Sequence, residues 1–78
     1  MKSSDEKKVY VRKIETIGKR EVWEVNGGYV RKRLNENFVL YDDANHLPFI
    51  PKHEFWIEKG SKPKERHFFI THLIARNR

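Results

Sequence analysis

The chain has 78 residues, no cysteine and a formal net charge of +6 from 17 Lys and Arg against 11 Asp and Glu. That length implies one domain near the lower limit for a self-sufficient core, and the composition excludes disulfides and thiolate metal sites. No apolar run approaches the roughly 20 residues of a membrane-spanning helix, and MKSSDEKK lacks the apolar stretch of a secretion signal, so a cytoplasmic protein is expected.

Residues 1–7 are too polar to order themselves and are expected to be a disordered lead-in to a single α+β domain over residues 8–78. From Val9 to Ile14, and again from Glu21 to Val25, branched apolar and polar residues alternate, predicting strands over about 8–15 and 20–25. Asn26-Gly27 is a hairpin signal and predicts a third strand over 28–33. In that register Trp23, Val25 and Val30 face the core. Val22, Glu24, Tyr29 and Arg31 then occupy a mixed, solvated face.

Further along, Phe38–Tyr41 predicts a short strand and residues 42–46 a polar loop. Pro48 and Pro51 hold Phe49 and Ile50 in an extended excursion. A last strand over 53–58 points Phe55 and Ile57 one way and Glu54, Trp56 and Glu58 the other. The C-terminal segment from Gly60 reads as one amphipathic helix with Ser61 as N-cap and Pro63 in the first turn. At about 100° per residue Phe69, Ile70, Leu73 and Ile74 share its buried face, and Phe68 points outward. The expected fold is therefore a small antiparallel sheet of about four or five short strands with one C-terminal helix packed on one face. Its core would hold Val9 or Tyr10, Trp23, Val25, Val30, Phe38, Leu40, Phe55, Ile57 and the four apolar helix residues.

Charge is unevenly placed. Residues 59–78 carry six Lys and Arg against the single acid Glu65, whereas residues 1–58 carry eleven against ten. Arg76 and Arg78 suit the negative end of a helix, but Lys62, Lys64 and Arg66 crowd its positive end, where cations cost stability and anions are welcome.

Catalytic arrangements fare poorly. Glu54 and Glu58 flank Trp56, but four residues of strand separate them by about 13 Å. Glycosidase carboxylate pairs need roughly 5–9.5 Å. Asp42, Asp43, Asn45 and His46 lack the spacing and central glycine of an EF-hand loop and read as a polar turn. His67 and His72 diverge by about 140° on the helix, so they cannot chelate one ion as an i, i+4 pair would. No serine has a base and an orienting acid around it.

The run PFIPKHEFWIEKGSKPKERHFFITH, residues 48–72, resembles a segment of small prokaryotic and phage zincin-like proteins. These join a proline-bracketed aromatic strand and an acidic-aromatic strand to a helix carrying H-E-x-x-[HE]. The resemblance covers about a third of the chain and places His72 at the first histidine. Leu73 stands in place of the catalytic glutamate, and Ala75 and Arg76 stand where further polar ligands would come. The resemblance thus implies a scaffold whose metal motif is degenerate, and neither metal, cofactor nor catalytic residue is expected.

The expected function is a small non-enzymatic module contacting nucleic-acid phosphates. Lys62, Lys64, Arg66 and Arg78 would act from the helix and Arg31 and Arg33 from the hairpin, with Tyr29, Trp56 and Phe68 as aromatic contacts. The alternative is a protein-interaction module, such as a small phage-type inhibitor or regulator, docking on an acidic partner surface through Phe68 and neighbouring arginines. A remnant hydrolase comes third.

Overall fold

The computed structural model describes residues 8–77; the expected lead-in at 1–7 and Arg78 lie outside the described residues. In chain order the elements are β1 (Tyr10–Ile17), β2 (Arg20–Val25), α1 (Gly27–Arg33), β3 (Tyr41–Asp43), β4 (Glu54–Glu58) and α2 (Pro63–Arg76). Lys8 and Val9 are helical immediately ahead of β1. The expected α+β class is observed. The sheet, however, is mixed rather than antiparallel: its order is β1-β2-β4-β3, with β2 and β4 parallel and the outer pairs antiparallel.

The β1–β2 hairpin turns at Gly18-Lys19, where Ile17 pairs with Arg20 and Gly18 has φ 59°, the left-handed conformation glycine adopts without steric cost. Asn26-Gly27 does not make a second hairpin. Asn26 Oδ1 accepts the Tyr29 N–H at 3.1 Å and caps α1, so residues 28–33 are helical. The other edge of β2 is taken by β4 over the whole stretch from Glu21 to Val25, which leaves no place beside it for a third consecutive strand.

Parallel pairing in register aligns Trp23 with Trp56 on one face and Val22 with Phe55 on the other. Each face has its own core. Val9, Val25, Val30, Phe38, Leu47, Ile50 and Trp56 pack beneath α1 and the 34–51 connection, while Val22, Phe55, Ile57, Phe69 and Leu73 pack beneath α2. The face expected to be solvated is therefore covered, and Val22 and Glu24 are buried. Leu40, placed in the core by alternation over an expected strand Phe38–Tyr41, is 43% exposed because β3 begins three residues later, at Tyr41, and leaves Leu40 outside the sheet.

The Pro48–Pro51 excursion is a turn that drops Leu47 and Ile50 into the first core. Trp56 anchors that core, with Tyr10, Phe38 and Phe49 rings edge-on at centroid distances of 5.6, 6.5 and 5.8 Å. Among the described residues no helix is long and apolar enough to cross a membrane.

Candidate nucleic-acid interface

Helix α2 presents its basic residues from a strongly fixed frame. Phe69 and Leu73 bury its inner face, each worth about 1.5–3 kcal/mol of apolar burial. The N-cap is Lys62, not Ser61: Ser61 Oγ instead donates to Glu58 O at 2.8 Å. A lysine side chain carries no acceptor, so the first turn is completed by Glu65, whose Oε1 accepts the Lys62 N–H at 2.9 Å, with Pro63 at the first helical position.

The C-terminal end is locked to β3 and the following loop. Arg76 lies 3.4 Å from Asp42 Oδ1 and 3.3 Å from Asp43 Oδ2, and Asn77 Nδ2 donates to Asp43 Oδ2 at 2.7 Å. His46 Nδ1 faces Asp42 Oδ2 at 2.7 Å, and Asn45 Nδ2 reaches Asn77 Oδ1 at 2.6 Å. The expected polar loop at 42–46 is instead the end of β3, Asp42 and Asp43, followed by a turn at 44–46; together they clasp the helix terminus, and Arg76 is committed to them.

At the other end, Lys62 and Lys64 are exposed and make no ion pair with a described residue. Arg66 approaches Glu24, a β2 carboxylate only 6% exposed, at 3.9 Å. The same carboxylate holds Arg12 of β1 at 3.2 Å. One buried acid therefore positions two guanidinium groups across the seam between β1 and α2. A cleft lined by Ile14, Glu15, Pro63, Arg66, His67 and Ile70 runs along that seam.

Phe68 is 56% exposed, one turn beyond Lys64 on the same flank, and its ring meets His72 edge-on at 4.2 Å. His72 also stacks on Tyr41 at 6.4 Å, which in turn stacks on Phe69 at 4.6 Å.

The first turns of α2 carry Lys62, Lys64, Arg66 and Phe68 on two flanks: Lys64 and Phe68, one turn apart, share one, and Arg66 turns to the other, toward Glu24; the remaining expected residues lie elsewhere. Arg31 is committed within the fold, donating to Glu58 Oε1 at 2.7 Å and to Val39 O at 2.8 Å. Arg33 is exposed at the end of α1, across the sheet from α2, so the two arginines form no second contact beside the α2 patch. Trp56 is 0% exposed, so it offers no face to a base: as a core residue its indole N–H donates to Glu54 Oε1 at 2.9 Å. Tyr29 is half-buried, with Lys8 Nζ 6.0 Å from its ring centre. Arg78 lies outside the described residues. Arg12 was missed because nothing in linear order ties it to Arg66; the alternation that puts Glu24 on the helix-facing side of β2 was the available signal.

Among the described residues one group could hold a metal ion, Glu21, His53 and Glu54, on the opposite side of the sheet from α2; His72 is not part of it. Comparison with protein-family models, with characterised proteins and with solved structures gives no match. The zincin-like resemblance of residues 48–72 gains no support from those comparisons, and the site is read from its own geometry.

Proposed function

We propose that this domain is a non-enzymatic binding module that contacts nucleic-acid phosphates through the first turns of α2. The observation that carries this reading is the pair of exposed lysines, Lys62 and Lys64, at the start of α2, next to a seam where Arg66 and Arg12 share one buried carboxylate, Glu24. Cations at a helix N-terminus repel the macrodipole, so Lys62 and Lys64, which pair with no described acid, gain no stabilisation from their place there. The same amide and lysine groups suit phosphate oxygens. Phe68 lies about 6 Å along the helix from Lys64 and is placed to stack on a base whose backbone the lysine holds. Stacking requires an unpaired base, so single strands are the preferred form.

Fluorescence anisotropy with labelled single-stranded and duplex DNA and RNA tests this. Single strands are expected to bind more tightly than duplex, and Phe68→Ala is expected to cost about 1–3 kcal/mol on single strands only. Equal loss on both forms, or none, removes Phe68 from the site.

A second reading is favoured by the exposure of Phe68 beside His72: an aromatic anchor on an acidic partner protein, as a small phage-type inhibitor or regulator would use. Apolar burial is not screened by salt. Partner capture that persists at high salt and fails in Phe68→Ala would favour this second reading.

A further inference from the structure

The parallel register that builds the sheet also places two carboxylates side by side. Glu21 of β2 pairs with Glu54 of β4, so both side chains leave the same face. His53, immediately before β4, brings Nε2 to 3.6 Å from Glu54 Oε2. Ligand atoms of all three residues lie within 4.8 Å of one another.

The groups around them are mostly neutral donors. Glu54, only 7% exposed, accepts the Tyr10 hydroxyl at 2.5 Å and the Trp56 indole N–H at 2.9 Å, both on Oε1. Its Oε2 is the oxygen that faces the imidazole. Glu21 Oε1 accepts the Trp23 indole N–H at 3.1 Å. Two indoles and a phenol therefore orient the carboxylates without neutralising them. Among the described residues one lysine, Lys13, reaches the pair, 3.4 Å from Glu21 Oε2. Among the described residues, two carboxylates face one ammonium at this point of a strongly basic chain.

We propose that Glu21, His53 and Glu54 form a binding site for a divalent transition-metal ion of the Zn²⁺ type. Mixed carboxylate and imidazole donors suit such ions better than Ca²⁺, which takes oxygen ligands in larger number. Ligand atoms about 2.0–2.2 Å from a tetrahedral ion lie about 3.4 Å from each other, close to the His53–Glu54 separation. His53 is exposed and Glu21 half-buried, so both can rotate inward by the remaining distance while Glu54 stays fixed. Orientation of a ligating carboxylate by outer hydrogen-bond donors is the arrangement found around protein-bound metals. Three protein ligands leave a coordination position for water or a partner group. The site is on the sheet face opposite α2 and is independent of the phosphate contact proposed above.

The test is a ZnCl₂ titration of the metal-free full chain, followed by NMR of the four histidine rings, on the parent and on His53→Ala and Glu21→Gln. Neither substitution removes a buried side chain, and circular dichroism checks that both variants are folded. The site predicts that His53 responds first and saturates with a single ion per chain. Both variants should lose at least about tenfold in affinity. No saturable response, a response shared equally by His46, His67 and His72, or unchanged affinity in folded His53→Ala would each overturn the assignment.

Discussion

Single acids are assigned by their neighbours to quite different tasks. Glu24 is buried between two arginines, Glu58 holds Arg31, and Glu21 sits under an indole. The Trp23 N–H bond, with lesser help from Lys13 and His53, holds the Glu21 carboxyl below its ordinary value near 4.5, against a smaller opposing effect of burial. A depressed folded-state pKa contributes stability that is present above the unfolded value and lost as pH falls through the folded one. Trp23→Phe should therefore raise the Glu21 pKa, read by carbon-detected NMR titration, and remove the part of the stability that the parent loses as pH falls below the ordinary carboxylate value. An unchanged Glu21 titration would contradict the role of the indole.

Gly27 is the second informative residue. A Cβ there would stand 2.6 Å from Glu58 Oε1 and 2.7 Å from Cδ, inside the carboxylate that Arg31 grips. Gly27→Ala should displace Glu58, weaken the Arg31 pair and cost about 1–3 kcal/mol in urea denaturation, more than helix propensity could return.

Among elements, α2 is held at both ends by different chemistry: a backbone cap from Glu65 at its start and the Asp42–Asp43 clasp at its finish. Asp43 is nearly inaccessible, and its carboxylate takes both Arg76 and Asn77. Asp43→Ala leaves those donors without their acceptor and should destabilise the fold by about 2–4 kcal/mol, with the last turn of α2 losing hydrogen-exchange protection first. Uniform loss of protection along the helix would contradict a clasp acting at its end.

Much of α2 and β4 was legible in the sequence, because a long 3.6-residue period and a strict alternation each outweigh local ambiguity: Phe69 and Leu73 are buried, Phe68 is exposed, and Phe55 and Ile57 face away from Trp56. Residues 26–33 were not. Asn-Gly suits a hairpin and Asn alone suits a helix cap, and the choice between them was made by β4, nearly thirty residues away, taking the edge of β2.

At the scale of the molecule, that one parallel pairing decides most of what the surface can do. It buries both sheet faces, turning Trp56 from a candidate contact into a core residue. It also sets Glu21 beside Glu54 and sends the chain from β4 into α2 with the basic residues leading. No periodicity within either strand encodes such a pairing, which explains why the basic helix could be read from the sequence while Arg12 and the Glu21–His53–Glu54 group could not. Glu24, Glu58, Asp42 and Asp43 are spent within the fold on Arg12, Arg31, Arg66 and Arg76, while Lys62 and Lys64 face outward.

The most direct measurement of the phosphate-binding claim is the salt dependence of single-strand affinity in the parent and in Lys62→Ala/Lys64→Ala, whose altered side chains are exposed and leave the Glu24 pairs intact. Each neutralised phosphate contributes about −0.7 to the log–log slope, so the double variant should bind more weakly with a slope shallower by about 1.4. Absence of binding at low salt, or a slope that the two substitutions leave unchanged, would contradict the assignment of α2 as a phosphate-contacting element.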